Sequence, residues 1–279
     1  MSETIAQIRE RVRKAQINYC KNMETIENIL LNERGYVSRA PKNEGVVVLY
    51  SGGLDSSILI NKIIEDWNVS VYPLFFRRGA RAQKYEENAF DFFVDFYRKR
   101  FPKNMKQAFK IDCGIPPADI KNSLPKELAQ TQGHPMRNST MQNMAAMYAV
   151  SLKRNVKTIF TGSVAEDNTE PELGMLSLRA QTLNTCVNLG DWEWQITSPL
   201  TDNHLKKIIY GKEDLINYAA DKNIPLGKTR TCFSQYEIAD GSCFACRKRL
   251  NAFYNAGIKD PLEYSSETEE INKSCGENR

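Results

Sequence analysis

Runs of β-branched and apolar residues alternate along the chain with segments whose apolar positions recur every three or four residues. Val46, Val47, Val48 and Leu49 form such a run, and Ile58, Leu59, Ile63 and Ile64 follow it at helical spacing. The pair predicts a buried parallel strand that enters a helix. A second strand is expected over 69–76. A helix from about 82 to 101 follows, with Phe90, Phe93, Val94 and Tyr97 on one side, an aromatic stripe that reads as core. Further strands are expected near 108–111, over 158–161 and over 196–200. Residues 133–150 read as a turn and a long helix, in which Pro135 bars helix before it and Asn138 is a plausible N-cap. Lys212 opens a helix that ends before Ile224-Pro225. Strands alternating with helices imply an α/β fold, a doubly wound parallel sheet that binds ligands at the strand carboxyl ends.

Ahead of the first strand, Ile5, Ile8, Val12, Ile26, Ile29, Leu30 and Leu31 recur at roughly helical spacing. Residues 1–44 are therefore expected to be a helical extension packed on the domain or on a partner. Arg9, Arg11, Arg13 and Lys14 read as its solvated face. The core domain is expected over 45–228, a cysteine element with a helix over 229–262, and a loose polar tail over 263–279.

Composition narrows the class only modestly. The 279 residues are 41% hydrophobic and 26% charged, which is globular composition. A net charge of +4 is spread too thinly to argue for nucleic acid. No apolar run approaches the ~20 residues of a bilayer span and Met1-Ser2-Glu3-Thr4 opens no signal core, so a cytoplasmic protein is expected. Seven cysteines in that setting read as thiols or metal ligands.

The strand–helix junction reads Ser51-Gly52-Gly53-Leu54-Asp55-Ser56. Two glycines let the backbone approach an anion closely, and the helix dipole points its positive end at the loop. Ser56 or Asp55 is expected to cap the helix. There is no Walker lysine and no dinucleotide fingerprint. The six residues resemble the signature of the PP-loop ATP pyrophosphatases. That resemblance implies a loop that holds the β,γ-pyrophosphate of ATP during attack on the α-phosphate. Arg137 would stand near a helix N-terminus, available to a phosphate or carboxylate. Gly162, then the acids Glu166 and Asp167, follow the fourth strand, where a Mg2+ or substrate contact would be needed. An ordinary helix N-terminal turn explains the acids equally well.

A second chemical signal lies near the C-terminus. Cys243 and Cys246 have knuckle spacing, and Cys232 lies upstream across a loop. A closed structural Zn2+ site takes four ligands, and Asp240 is placed to supply the fourth. Cys275, His204, water or an absent metal are the alternatives.

Taken in this order, the loop, His134-Pro135-Met136-Arg137-Asn138, the Gly162–Asp167 stretch and the Cys232–Cys246 cluster resemble the 7-cyano-7-deazaguanine synthase family of PP-loop enzymes. The resemblance spans about 45–255. It implies that ATP and Mg2+ adenylate a 7-deazaguanine carboxylate and that ammonia displaces AMP to give the amide. A second activation then yields the nitrile, and the zinc is structural. It implies pyrophosphate contacts from Ser51 to Ser56, with Asp55, Ser56 and Arg137 in the chemistry and Gly162 and Lys212 at the ATP. Arg137, Asn138, Glu166 and Asp167 would face the acid. This chain departs from the family pattern at Asp240, which stands for a cysteine, and at Asn168 to Met175. The first 44 residues have no counterpart in the ordinary family enzyme. No glutaminase is expected, so ammonia arrives free or another amine serves. That amine could belong to a partner protein, as in bacterial defence relatives, and residues 1–44 are a candidate partner contact. A homodimer is left open. A tRNA sulfurtransferase would need a persulfide cysteine near the loop, for which Cys113 and Cys186 are the internal candidates. A non-catalytic ATP-binding scaffold is the third class.

Overall fold

The computed structural model describes residues 19–131, 134–169 and 171–265, together with Thr4, Ala6 and Gln7. Most of the basic N-terminal stretch and the tail from 266, Cys275 included, lie outside the described residues. Five strands form one sheet in the order β3-β2-β1-β4-β5. They are β1 (Gly45–Leu49), β2 (Ser70–Arg77), β3 (Phe109–Asp112), β4 (Thr158–Phe160) and β5 (Gln195–Thr197). Every pairing is parallel, with Val46 opposite Val71 on one flank and Thr158 on the other. The expected doubly wound sheet is present, with β1 at its centre.

Two cores follow from the alternation of β1 side chains. Val46 and Val48 face the core that holds α2 (Leu54–Trp67), α3 (Gln83–Arg100), α8 (Lys212–Asp221) and α9 (Phe244–Asn255). Val47 faces the core of α6 (Arg137–Ser151) and α7 (Met175–Leu189). Phe90, Phe93 and Tyr97 are buried on α3, as the stripe predicts. Tyr97 donates its hydroxyl to the Ser57 carbonyl at 2.8 Å, so the stripe also meets the helix that leaves the loop.

The helix α1 (Tyr19–Arg34) belongs to the extension and packs on α7. The Leu176 N–H donates to the Tyr19 hydroxyl at 2.9 Å, and Arg179 Nε meets Glu27 at 2.8 Å. The Arg34 guanidinium donates to the carbonyls of Trp192 and Trp194 at 3.0 and 2.6 Å, and also to that of Val37. A carboxamide clasp completes the attachment, Gln195 exchanging hydrogen bonds with the Arg39 backbone at 2.8 and 3.1 Å.

The structure corrects several expectations. No side chain caps α2: Gly53 is the N-cap, and Ser56 and Ser57 donate their hydroxyls to its carbonyl instead. Asn138 does not cap α6. The N-cap is Met136, in the left-handed region at φ 59°, and Asn138 lies in the first turn with its N–H accepted by Glu172 at 3.2 Å. Three helices carry no sequence expectation: α7, and the six-residue α4 (Ala118–Ser123) and α5 (Lys126–Thr131). One turn and a half cannot display a period. In α7 the buried face includes Arg179, Gln181, Thr182 and Thr185, so hydropathy conceals a face that is in fact core.

Candidate functional site

The loop between β1 and α2 is shaped by close backbone packing. Gly52 takes φ +74°, and a Cβ there would stand 2.4 Å from the Glu86 carbonyl oxygen. Glycine is required twice over, by the left-handed backbone and by the approach of α3. Gly162, where β4 ends, passes the loop from the other side, and its Cβ would lie 3.2 Å from the Ser56 N–H nitrogen. Ser51 and Ser56 join their hydroxyls at 3.2 Å, and the Gly53 N–H donates to Ser51 Oγ at 3.3 Å. Hydroxyls and the first amides of α2 thus surround one concavity at the carboxyl end of the central strand.

That concavity is a pocket of about 250 Å³. Ser51, Gly53, Asp55 and Ser56 line one part, with Thr161, Gly162, Ser163 and Asp167 beside them. Arg78, Glu86, Arg137, Asn138, Met141 and Gln142 line another part, over a floor that includes Leu49, Leu74 and Phe76. The structure therefore brings together Ser51, Gly53, Asp55, Ser56, Arg137, Asn138, Gly162 and Asp167. Gly52 and Leu54 shape the loop from behind: both are buried, and Leu54 belongs to the core. Glu166 turns to α8, where its carboxylate accepts the Lys212 N–H at 2.9 Å.

Charge is distributed with some precision. Lys212 Nζ meets Asp55 Oδ2 at 2.5 Å. Burial opposes the ammonium, but the Asp55 and Asp167 carboxylates outweigh it and raise the lysine pKa. Burial pushes the Asp167 carboxyl up against the pull of Lys212. Arg78 grips Glu86 with two hydrogen bonds at 2.9 and 3.2 Å. Burial still raises the Glu86 pKa, with Arg78 and Arg137 opposing. Burial and the neighbouring Arg78 lower that of Arg137. Among the described residues, three buried polar atoms of the lining find no partner: Asp55 Oδ1, Arg137 Nε and Gln142 Oε1. Leaving such atoms unmade costs about 1–3 kcal/mol each, which marks a surface built to meet a ligand. Arg78, Glu86 and Gln142 escape sequence reasoning because single charges and amides near a helix start carry no spacing signal.

The cysteine element stands next to the loop. Cys232, Asp240, Cys243 and Cys246 bring one ligand atom each within 4.8 Å of one another. A tetrahedron with ~2.3 Å zinc–sulfur arms has edges of ~3.8 Å, so the donor set, within 4.8 Å of one another, fits Zn2+ after contraction. Burial opposes charge on Asp240, yet N–H groups of Cys243 and Ser242, each 2.9 Å from Oδ1, hold its carboxyl below the usual range. It therefore presents an anionic oxygen, as a zinc ligand must. His204 lies elsewhere, 3.4 Å from Glu27. Cys113 and Cys186 do not line the pocket. Burial raises both thiols, and Cys186 donates to the Trp194 carbonyl at 3.3 Å.

A parallel sheet with an anion-cradling Ser-Gly-Gly loop at its central strand defines the PP-loop class of ATP-using enzymes. The comparisons agree. The family model described as "Queuosine biosynthesis protein QueC" matches residues 45–257. The 7-cyano-7-deazaguanine synthase of Thermoplasma acidophilum is 32% identical over 230 residues, which cover 78% of this chain and 91% of that one. Its counterpart from Thermoplasma volcanium is 30% identical over 239 residues, covering 82% and 94%. The structure of NMN synthetase from Francisella tularensis aligns over 92% of either chain at 12% identity, with a TM-score of 0.43, a likeness too loose to bear on function. This chain belongs to the QueC family and is, with it, an ATP-dependent enzyme. Among the described residues no helix is long and apolar enough to cross a membrane.

Proposed function

We propose that this protein activates a 7-deazaguanine carboxylate with ATP and converts it through the amide to the nitrile, as the names of its relatives suggest. The observation that carries the reading is the convergence of the loop, Arg137, Asp55 and Asp167 on one pocket, with Lys212 paired to Asp55 and with Asp55 Oδ1 and Arg137 Nε left for a ligand.

A carboxylate oxygen of the acid attacks the α-phosphorus of ATP, and the bond to the β-phosphate breaks. The loop N–H groups and the Ser51 and Ser56 hydroxyls receive the leaving pyrophosphate. Lys212 and Arg137 neutralise negative charge on the phosphates and on the acid. Asp55 and Asp167 would hold Mg2+, which supplies further neutralisation of the phosphates. Glu172, which accepts the Asn138 N–H, and Glu166, which accepts the Lys212 N–H, fix the starts of α6 and α8, and the Asn138 side chain on the pocket would face the acid. Ammonia then attacks the acyl carbon, AMP leaves, and a proton is lost to give the amide. A second ATP activates the amide oxygen, and loss of AMP with a proton gives the nitrile. The Cys232–Asp240–Cys243–Cys246 set would hold Zn2+ as a closed structural site that braces the loop from outside the pocket. The domain division supporting this assignment is a core over 45–228 with the cysteine element over 229–262.

The test is to incubate the protein with ATP, magnesium, 7-carboxy-7-deazaguanine and ammonium, and to follow AMP and product mass. AMP with the nitrile mass supports the reading in full. AMP with only amide or trapped adenylate redirects the acyl group to an amine of a partner protein. Absence of acid-dependent AMP from protein that binds ATP and zinc sinks the reading.

A further inference from the structure

One side chain of the pocket has no place in the scheme above. Gln142 is only 2% exposed, it lines the pocket, and its Oε1 is buried with no partner. Among the described residues, none hydrogen-bonds to its carboxamide. It shares one face of α6 with Arg137, Asn138 and Met141, which also line the pocket. Further along that face come Ala145, Ala146 and Ala149, buried in the core with Val47 and Ile159. These small side chains let α6 lie close to the sheet. Where they stop, the space between helix and strands opens into the pocket, over the apolar side chains of Leu49, Leu74 and Phe76.

A slot with apolar side chains along it and an unpartnered carboxamide among its polar groups suits a flat heteroaromatic ring. The carboxamide offers an N–H donor beside a C=O acceptor. Its complement is a ring edge with an acceptor beside a donor, the match by which glutamine pairs with adenine. An aliphatic acid has no such edge, and its binding would leave the orphaned atom unpaired.

We propose that Gln142 is a specificity-determining residue that reads a donor–acceptor edge of a heteroaromatic ring in this pocket. The assignment rests on the proposed function for one of its two possible sources. Both the lactam edge of a deazaguanine acid and the amino edge of adenine in ATP carry this chemistry.

The test uses the full-length protein with Gln142→Met, which keeps volume without polar atoms, and Gln142→Glu, which keeps shape but replaces the donor with an acceptor. Affinities for ATP and for 7-carboxy-7-deazaguanine are measured separately by calorimetry, with melting temperatures alongside. The expected result is a roughly ten- to hundredfold loss for one ligand in both variants, the other ligand unaffected. The Gln142→Met melting temperature should be unchanged or higher, because an orphaned polar atom has gone. Loss for the acid identifies the lactam, and loss for ATP identifies adenine. Unchanged affinities for both overturn the proposal, as does a lowered melting temperature with intact binding.

Wild-type protein gives an arm that needs no variant. Purine riboside triphosphate lacks the adenine amino group, and 2-amino-7-carboxy-7-deazapurine lacks the exocyclic C6 oxygen of the lactam. One of the two should bind at least tenfold more weakly than its parent, and equal binding of both pairs overturns the proposal. Protein that binds ATP but ignores the acid overturns the proposed function instead, and the ATP arm alone then decides Gln142.

Discussion

The backbone N–H of Arg230 donates to the carbonyl of Gly52 at 2.9 Å. Its guanidinium, meanwhile, spans the metal loop, donating to the carbonyls of Cys232, Ser234, Tyr236 and Glu237 at 2.8–3.1 Å. One residue thus ties the cysteine element to the phosphate loop. Metal removal should therefore be felt at the nucleotide. Stripping with a chelator is expected to weaken ATP binding by calorimetry and to lower the melting temperature, with both restored by Zn2+. Unaltered ATP affinity in protein shown by mass spectrometry to hold no metal would contradict this coupling.

Gly52 should tolerate nothing larger. Gly52→Ala puts a methyl carbon 2.4 Å from the Glu86 carbonyl oxygen in a left-handed backbone. Overpacking and strain of this kind cost about 1–3 kcal/mol each. Urea denaturation should show a loss in that range, and ATP affinity should fall with it. Alanine at Gly35, where nothing lies within 4 Å, provides the control for left-handed strain alone.

Lys212 sits on Asp55 and beside Asp167. Lys212→Met removes the cation that serves both acids, and roughly a hundredfold fall in kcat/KM for ATP is expected. Zinc content should be unchanged. A fall smaller than threefold would place the lysine outside the chemistry.

The buried pair Arg179–Asp202 contributes to the limit of stability at the acid end. Asp202 is fully buried and accepts two hydrogen bonds from Arg179 at 2.8 Å each. Burial opposes its charge, yet Arg179 prevails and depresses the pKa. A depressed folded-state pKa contributes stability above the unfolded value of about 3.9 and loses it as pH falls through the folded value. The melting temperature of wild type should drop below about pH 4, and that of Asp202→Asn should drop less steeply. At neutral pH the variant leaves the buried Arg179 guanidinium to Glu27 and Ser38 alone, so a loss of up to about 3 kcal/mol is expected by denaturant titration.

Local signals made much of this legible. The loop and β1 could be read because six residues and an apolar run coincide. The grouping of Cys232, Asp240, Cys243 and Cys246 could be read because its spacing is short. In the pocket's second part Arg137 and Asn138 could be read, but Arg78, Glu86 and Gln142 acquire meaning only when β2, α3 and α6 meet. The capping expectations at Ser56 and Asn138 failed for a physical reason. At α2 the serine hydroxyls back-bond to the Gly53 carbonyl. At α6 the turn enters through a left-handed Met136, and Glu172, distant in sequence, accepts the first-turn N–H.

The attachment of α1 also dictates an order of events. Tyr19, Glu27 and Arg34 leave the ribosome before the groups that receive them, which lie at 176–194, about 150–160 positions later. Contacts so remote in sequence form late, and synthesis proceeds at roughly 5–20 residues per second. Docking of this helix therefore cannot begin until β1 to β4 have emerged. The first described helix of the chain acts as a clasp, closed over the sheet after the pocket's scaffold has been built.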